Sequence, residues 1–226
     1  VMRGIHKVLG VALSVLFLVW FLSGLVMMYH TFPSVNEYDR LKKMDPLSAE
    51  GLAPIEQVAA RLPEGETIRR LTLDSYMGVP CFHVQGREGS YDLPADSSYQ
   101  FPPTPDFDRI ATHWVNAPIA RVDTLNELEQ WIPFSRLRKE FPIYKYHFAD
   151  EGRHELYLSS KSGRVLQLTD AKSRFWAWVG AIPHWIYFTS LRQDLERWSS
   201  VVVWLSGIGC VMCLAGGYLC VRDVRL

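Results

Sequence analysis

Two long apolar runs lie near the ends of the chain. The first extends from Val8 to Met28 and the second from Val201 to Val221, and neither contains a charged side chain. An α-helix needs about 20 such residues to cross the hydrocarbon core of a bilayer. We therefore predict transmembrane helices within residues 1–30 and 200–222, with the lipid bilayer as their surroundings.

Basic residues beside the two runs predict their orientation. Arg3 and Lys7 precede the first run, and Arg222 and Arg225 follow the second. Because Lys and Arg next to a span stay preferentially on the cytoplasmic side, we expect both termini in the cytoplasm and the central region in the periplasm. No Ala-x-Ala cleavage pattern follows the first run, which favours a retained anchor over a signal peptide. Residues 222–226 look like the start of a loop, so we expect a truncated chain.

The central region begins with the pattern of a helix followed by strands. Leu52 to Leu62 has apolar residues at helical spacing and Pro54 in its first turn. Strands are predicted at Ile68–Leu73, at Val79–Val84 and near Tyr91. A loop rich in Pro and Asp, from Pro94 to Asp108, follows.

The same order recurs in the second half of this region. We predict a helix at Thr124–Trp131 and strands at Ile143–Phe148, His154–Ser159 and Val165–Thr169. The repeat predicts a duplicated module with units at 31–108 and 109–172. The predicted fold class is therefore membrane α plus extramembrane α+β, in which two transmembrane helices flank a duplicated helix and antiparallel-sheet domain.

An aromatic stretch joins this domain to the second run. Residues 173–199 are rich in Trp and Tyr, which anchor segments at the membrane–water interface. We predict one interfacial helix there.

Small residues in the two runs predict close helix packing. Gly209, Cys213 and Gly217 recur at four-residue spacing in the second run, and Gly10 and Ser14 lie in the first. These faces could contact each other, further transmembrane helices or a second copy of the chain.

Charge and cysteine usage exclude several classes of function. The 24 Lys and Arg balance the 24 Asp and Glu, so no basic surface for nucleic acid is expected. Cys81 is the only cysteine between the runs, which rules out an internal disulfide there. No catalytic constellation and no Gly-x-Gly-x-x-Gly run is present, so we predict neither catalytic residues nor a nicotinamide or flavin site.

Three histidines lie at the predicted membrane boundaries. His6 and His30 flank the first run, and His184 precedes the second. Imidazole is a common ligand of redox metals and haem. A rise of 1.5 Å per residue separates His6 from His30 by roughly 36 Å, so the two cannot share a metal. His30 and His184 approach the same outer depth and could form a bis-imidazole site, whereas all three could equally be interfacial polar residues.

Several motifs resemble those of PepSY proteins. Leu52 to Asp92, with its Gly-Val-Pro-Cys-Phe-His-Val strand and Gly-x-Tyr-Asp ending, resembles a PepSY domain, as does Phe141 to Leu168. The membrane segments resemble the PepSY-associated transmembrane family. The matching motifs are Arg3-x-x-His6 with Gly10, Ser23-Gly24, and Ala181-Ile182-Pro183-His184-Trp185.

This resemblance, which covers nearly the whole chain, implies a bacterial inner-membrane protein linked to iron acquisition. Some members are haem-containing reductases of ferric siderophores. It implies haem b as cofactor, His6, His30 and His184 as iron ligands, and a ferric siderophore as electron acceptor. Such reductases have at least four spans, and this chain has two. The alternatives are a non-enzymatic periplasmic module that binds a protein or peptide, and a structural subunit of a membrane complex.

Overall fold

The computed structural model describes residues 2–44, 47, 51–76, 79–96, 100 and 104–224. Arg225 and part of the predicted loop between Pro94 and Asp108 lie outside these residues. The chain divides into two compact units, one formed by 1–34 with 118–226 and the other by 35–117.

The elements of the described residues follow in chain order. The α-helices are α1 (Met2–Met27), α2 (Glu37–Lys42), α3 (Ile55–Ala59), α4 (Phe107–Trp114), α5 (Ala171–Val179), α6 (Ala181–Trp185), α7 (Thr189–Arg192) and α8 (Leu195–Val224). The strands are β1 (Ile68–Tyr76), β2 (Val79–Gly86), β3 (Ser90–Pro94), β4 (Ile119–Leu125), β5 (Ile143–Phe148), β6 (Glu155–Ser159) and β7 (Val165–Thr169). A 3₁₀ helix spans Ser135–Glu140.

The two predicted apolar helices are present. Within them, Arg3–Met27 and Leu195–Arg222 are long and apolar enough to cross a membrane. Only 11% of the most apolar stretch of each is buried inside the protein, unlike the core helix of a soluble domain. This combination of length, composition and exposure indicates association with a membrane.

Helices α1 and α8 pack against each other, but only in part through the predicted glycines. A Cβ on Gly209 would lie 3.3 Å from Cζ of Phe17, so Gly209 is at the contact. Gly216, not Gly217, faces α1, and neither Gly10 nor Gly217 has a neighbour within 4 Å of its Cβ position. Among the described residues, the contact therefore follows a seven-residue spacing on α8, and Gly10 and Gly217 lie outside it. Contact of their faces with further helices or with a second copy of the chain stays a prediction.

The unit of residues 35–117 contains a three-stranded antiparallel sheet in the order β1-β2-β3. One face of this sheet buries Phe82 and Val84 against Val58 of α3. Helix α3 is shorter than the predicted Leu52–Leu62, because Leu62 precedes a proline and is disfavoured in helical conformation. Helix α4, which was not predicted from the sequence, is capped by Asp106, whose side chain accepts a hydrogen bond from the Arg109 amide.

The other unit contains a four-stranded antiparallel sheet in the order β4-β5-β6-β7. The predicted helix at Thr124–Trp131 was wrong, since β4 extends to Leu125 and turns follow. Ile132 precedes a proline and is biased towards extended backbone, which disfavours a helix at the end of this segment. Strands β5 and β7 have the predicted bounds, and β6 begins one residue later than predicted.

The predicted single helix over 173–199 was also wrong. Three short helices, α5 to α7, precede α8. The first interruption of helical structure is at Gly180, where a Cβ would lie 3.0 Å from Val26 and 3.1 Å from the Trp176 carbonyl. The second is at Ile186, whose backbone is left-handed with φ of 55°. The coarse fold class, two apolar terminal helices with an α+β part built on antiparallel sheets, is confirmed.

Candidate functional site

His184 of α6 lies against the C-terminal half of α1. Its Nδ1 is 3.0 Å from the carbonyl oxygen of Trp20 and 3.3 Å from Oγ of Ser23. The Ser23 hydroxyl donates to the Val19 carbonyl at 2.6 Å, so its oxygen is left to accept. This arrangement favours the tautomer with the proton on Nδ1, which leaves the lone pair on Nε2.

The helix cap, the glycine and the buried residues that precede His184 determine its position. Asp170 caps the start of α5 by accepting hydrogen bonds from the amides of Lys172 and Ser173. After α5, the absence of a side chain at Gly180 lets the backbone pass close to Val26 of α1. The buried residues Ala181 and Ile182 then fix α6 against the core.

His6 makes the corresponding contact at the other end of α1. Its Nδ1 is 3.1 Å from the carbonyl oxygen of Met212 on α8. A Cβ on Gly216 would lie 2.7 Å from Cε1 of His6, and one on Gly24 would lie 3.1 Å from Cε1 of His184. Each imidazole therefore contacts the carbonyl of a helical residue that is followed, four residues later, by a glycine. The missing side chain of that glycine lets the imidazole approach the helix closely.

The two imidazoles lie far apart along α1. Trp20 and Gly24 follow His6 by 14 and 18 residues, which corresponds to about 21 to 27 Å along the helix axis. Within the described part of the chain, Nε2 of neither ring makes a hydrogen bond. His6 and His184 thus present an unused nitrogen near opposite ends of the same helix.

His30 has a different environment. Its ring stacks on Trp176, with centroids 4.3 Å apart and planes at 10°. It lies beyond Met27, the last residue of α1, whereas His184 contacts the backbone within that helix. Each of the two rings therefore has its own partner.

The aromatic residues before α8 form a packed cluster. Tyr187 contacts Phe32, Phe134, Trp185 and Trp198. The Arg192 guanidinium lies 4.6 to 5.2 Å from the ring centroids of Phe134, Tyr187 and Trp198. Tyr187 is thus part of the core, whereas Trp178 and Phe188 are half exposed.

The indole of Trp20 on α1 contains a buried polar atom without a partner among the described residues. Nε1 of Trp20, the residue whose carbonyl meets His184, is buried without a hydrogen bond among the described residues. Leaving a buried donor unpaired costs about 1–3 kcal/mol. An acceptor supplied by a bound group would remove that cost, and a haem carries two carboxylates.

A network of charged side chains on β5 and β6 was missed by the sequence reading. The Tyr157 hydroxyl donates to Glu129 and, at 3.1 Å, to Glu155, while Lys145 Nζ lies 2.8 and 3.1 Å from the same two carboxylates. Burial and the two carboxylates raise the pKa of Tyr157 far above its usual value. Lys145 and His147 are two residues apart on β5, as are Glu155 and Tyr157 on β6, so each pair lies on one face of its strand. This spacing could have revealed the polar face of the sheet.

The other histidines hydrogen-bond within the units. His113 contacts the Lys43 carbonyl at 2.6 Å, His147 contacts Asp123 at 2.9 Å, and His154 contacts Asp150 at 2.5 Å. His83 lies between two carboxylates, those of Asp74 and Asp92, whose hydrogen bonds raise its pKa to about 9 despite partial burial.

No family model, no curated protein and no solved structure matches this chain. The functional assignment therefore rests on the residues themselves.

Proposed function

We propose that the chain belongs to a PepSY protein of the bacterial inner membrane, binds haem b, and carries electrons across the bilayer towards a ferric siderophore. The observation that carries this proposal is the paired arrangement of His6 and His184. Each ring directs Nδ1 to a helix carbonyl beside a glycine and leaves Nε2 without a partner in the described residues. A histidine that binds a metal through one nitrogen typically donates the other N–H to a carbonyl or carboxylate.

The residues of this chain orient the two ligands. The Trp20 carbonyl and Ser23 hydroxyl hold the proton of His184 on Nδ1, and the Met212 carbonyl does the same for His6. Haem b, when bound, supplies one-electron transfer at a potential set by its ligands and surroundings. His30, stacked on Trp176, is the third proposed ligand.

The separation of the two rings suits transfer across a membrane. With both termini in the cytoplasm, His6 lies at the inner side and His184 at the outer side, about 21 to 27 Å apart along α1. Each ring supplies one iron ligand. His30 is the proposed second ligand on the outer side, and the second ligand beside His6 would come from further transmembrane helices or from a second copy of the chain.

The motif resemblance supports the same two residues. His6 stands in the Arg-x-x-His motif and His184 in the Pro-His-Trp motif, and these are the two rings held against carbonyls. The two antiparallel sheets, one in each unit, support a duplicated PepSY-like domain, and in chain order α3 precedes the first sheet and α4 precedes the second.

A second candidate is a non-enzymatic periplasmic binding module or a structural subunit of a membrane complex. The favouring observation is that imidazole–carbonyl contacts also stabilise helix packing without any cofactor. The edge strands of both sheets would then be available to pair with an extended peptide.

Haem content of purified variants tests the proposal. We expect His184→Gln and His6→Gln each to lower the haem content by about half if each ring serves a separate iron, since Gln can still donate to the carbonyl but does not ligate iron as imidazole does. The matched control, His113→Gln, should leave it unchanged. Equal haem content in all variants would contradict the assignment.

A further inference from the structure

A second group of potential ligands lies on one face of the three-stranded sheet. His83 on β2 pairs with Asp92 on β3, and Asp74 on β1 pairs with Cys81 on β2. Cys81 and His83 are two residues apart, so they share a face with both carboxylates. This is the face opposite to the one that packs on α3.

The distances within this group are those of a metal site. One side-chain ligand atom from each of Cys81, His83 and Asp92 lies within 4.8 Å of the other two. Zinc–ligand bonds of about 2.0–2.3 Å would bring such atoms together with small side-chain rotations. Within the described residues, this is the one cluster of His, Cys and acidic residues that meets this criterion.

The two nitrogens of His83 have distinct roles. Nδ1 faces the carboxylate of Asp92, and Nε2 lies 2.5 Å from Oδ1 of Asp74. A ligating histidine commonly donates its other N–H to a carboxylate, which fixes the ring and increases its basicity. Asp74 stands where such an orienting carboxylate is needed.

Burial decreases from the Cys81 thiol to the two carboxylates. Cys81 is fully buried, the His83 side chain is 15% exposed, and those of Asp74 and Asp92 are 39% and 36% exposed. The thiol therefore lies at the buried end of the cluster, and the carboxylates lie at its solvent-exposed rim. An ion could enter from solvent, and one coordination position would remain open on that side.

We propose that Cys81, His83 and Asp92 bind a divalent transition-metal ion of the zinc type, with Asp74 as a positioning residue. The mixed sulfur, nitrogen and oxygen ligands favour such an ion over magnesium or calcium, which take oxygen ligands. Binding replaces the thiol proton and any proton on the ligating nitrogen, so it releases protons. The site lies within the unit of residues 35–117 and is independent of the haem proposal.

Titration of the purified protein in detergent with Co²⁺, after treatment with a chelator, tests the site. Difference spectra against the metal-free sample remove any haem absorption. We expect a thiolate-to-cobalt band in the near ultraviolet and visible d–d bands that saturate at one equivalent. Zn²⁺ should abolish both.

Variants distinguish ligands from the positioning residue. Cys81→Ser should remove the thiolate band, and Asp92→Asn, at the exposed rim, should weaken binding while the fold is retained. Asp74→Asn should lower the Co²⁺ affinity about 10- to 100-fold but keep the thiolate band.

Two control variants define the result that would overturn the proposal. His147→Gln removes a histidine that lies between carboxylates without a cysteine, and Cys213→Ser removes a thiol in α8; both should leave the titration unchanged. Absence of cobalt bands in the unmodified protein, or bands that persist in Cys81→Ser, would refute the site.

Discussion

At the scale of single residues, Tyr157 connects the charged network of the four-stranded sheet. Its buried hydroxyl donates to Glu129 and Glu155, beside Lys145. Removing the hydroxyl takes one of two donors from the carboxylates of Glu129 and Glu155, which then depend on Lys145 in a poorly solvated position.

We therefore predict that Tyr157→Phe lowers the free energy of unfolding by about 1–3 kcal/mol. The control is Tyr38→Phe, because Tyr38 is exposed and its ring contact with Lys42 survives the change. Denaturant unfolding in detergent, followed by Trp fluorescence, measures both. Equal stability of the two variants would contradict a role for the Tyr157 hydroxyl.

The sequence could reveal the site residues but not their partners. His6 and His184 stand out through their motifs and their positions beside the apolar runs. Their carbonyl partners, Met212 and Trp20, depend on the rotation of each helix about its axis, which local sequence does not determine. Similarly, Cys81 and His83 alternate on a predicted strand, yet only the strand register brings Asp92 beside them.

At the scale of elements, the strands were predictable where apolar residues alternate or run together. Strands β5 and β7 have the predicted ends, since a turn with Gly152 follows β5 and a turn with Gly163 precedes β7. The predicted helix at Thr124–Trp131 does not form, because pairing with β5 and the following Ile132–Pro133 outweigh the helical spacing of the apolar residues. The break in 173–199 depends on the close approach of Gly180 to α1, which is a tertiary contact.

The contact between α1 and α8 gives a prediction at this scale. A methyl group at residue 216 would lie 2.7 Å from His6, whereas residue 217 has free space around its Cβ position. We expect Gly216→Ala to displace His6 from the Met212 carbonyl and to destabilise the helix pair by about 0.6–1.7 kcal/mol relative to Gly217→Ala.

Unfolding in mixed micelles titrated with SDS measures this difference. The paired variants cancel the gain in helix propensity that both share on replacing glycine with alanine. Equal stability of Gly216→Ala and Gly217→Ala would show that His6 does not occupy the glycine gap.

At the scale of the whole molecule, the two apolar helices and the basic residues beside them predict the topology. We expect a cysteine introduced at Glu151, in an exposed turn, to react with a membrane-impermeant maleimide in intact spheroplasts. A cysteine introduced at the exposed Lys7 should react only after permeabilisation. Labelling above the level of the unmodified chain is the measure, and the reverse pattern would invert the proposed orientation.

The central claim is that the rings of His6 and His184 hold haem at the two ends of α1. A reduced-minus-oxidised absorption spectrum of the purified protein in detergent tests it most directly. We expect a Soret band and the sharp reduced bands of a histidine-ligated b-type haem, with both diminished in His6→Gln and in His184→Gln. A spectrum without a Soret band, after expression with sufficient haem, would contradict the claim and favour the non-enzymatic alternative.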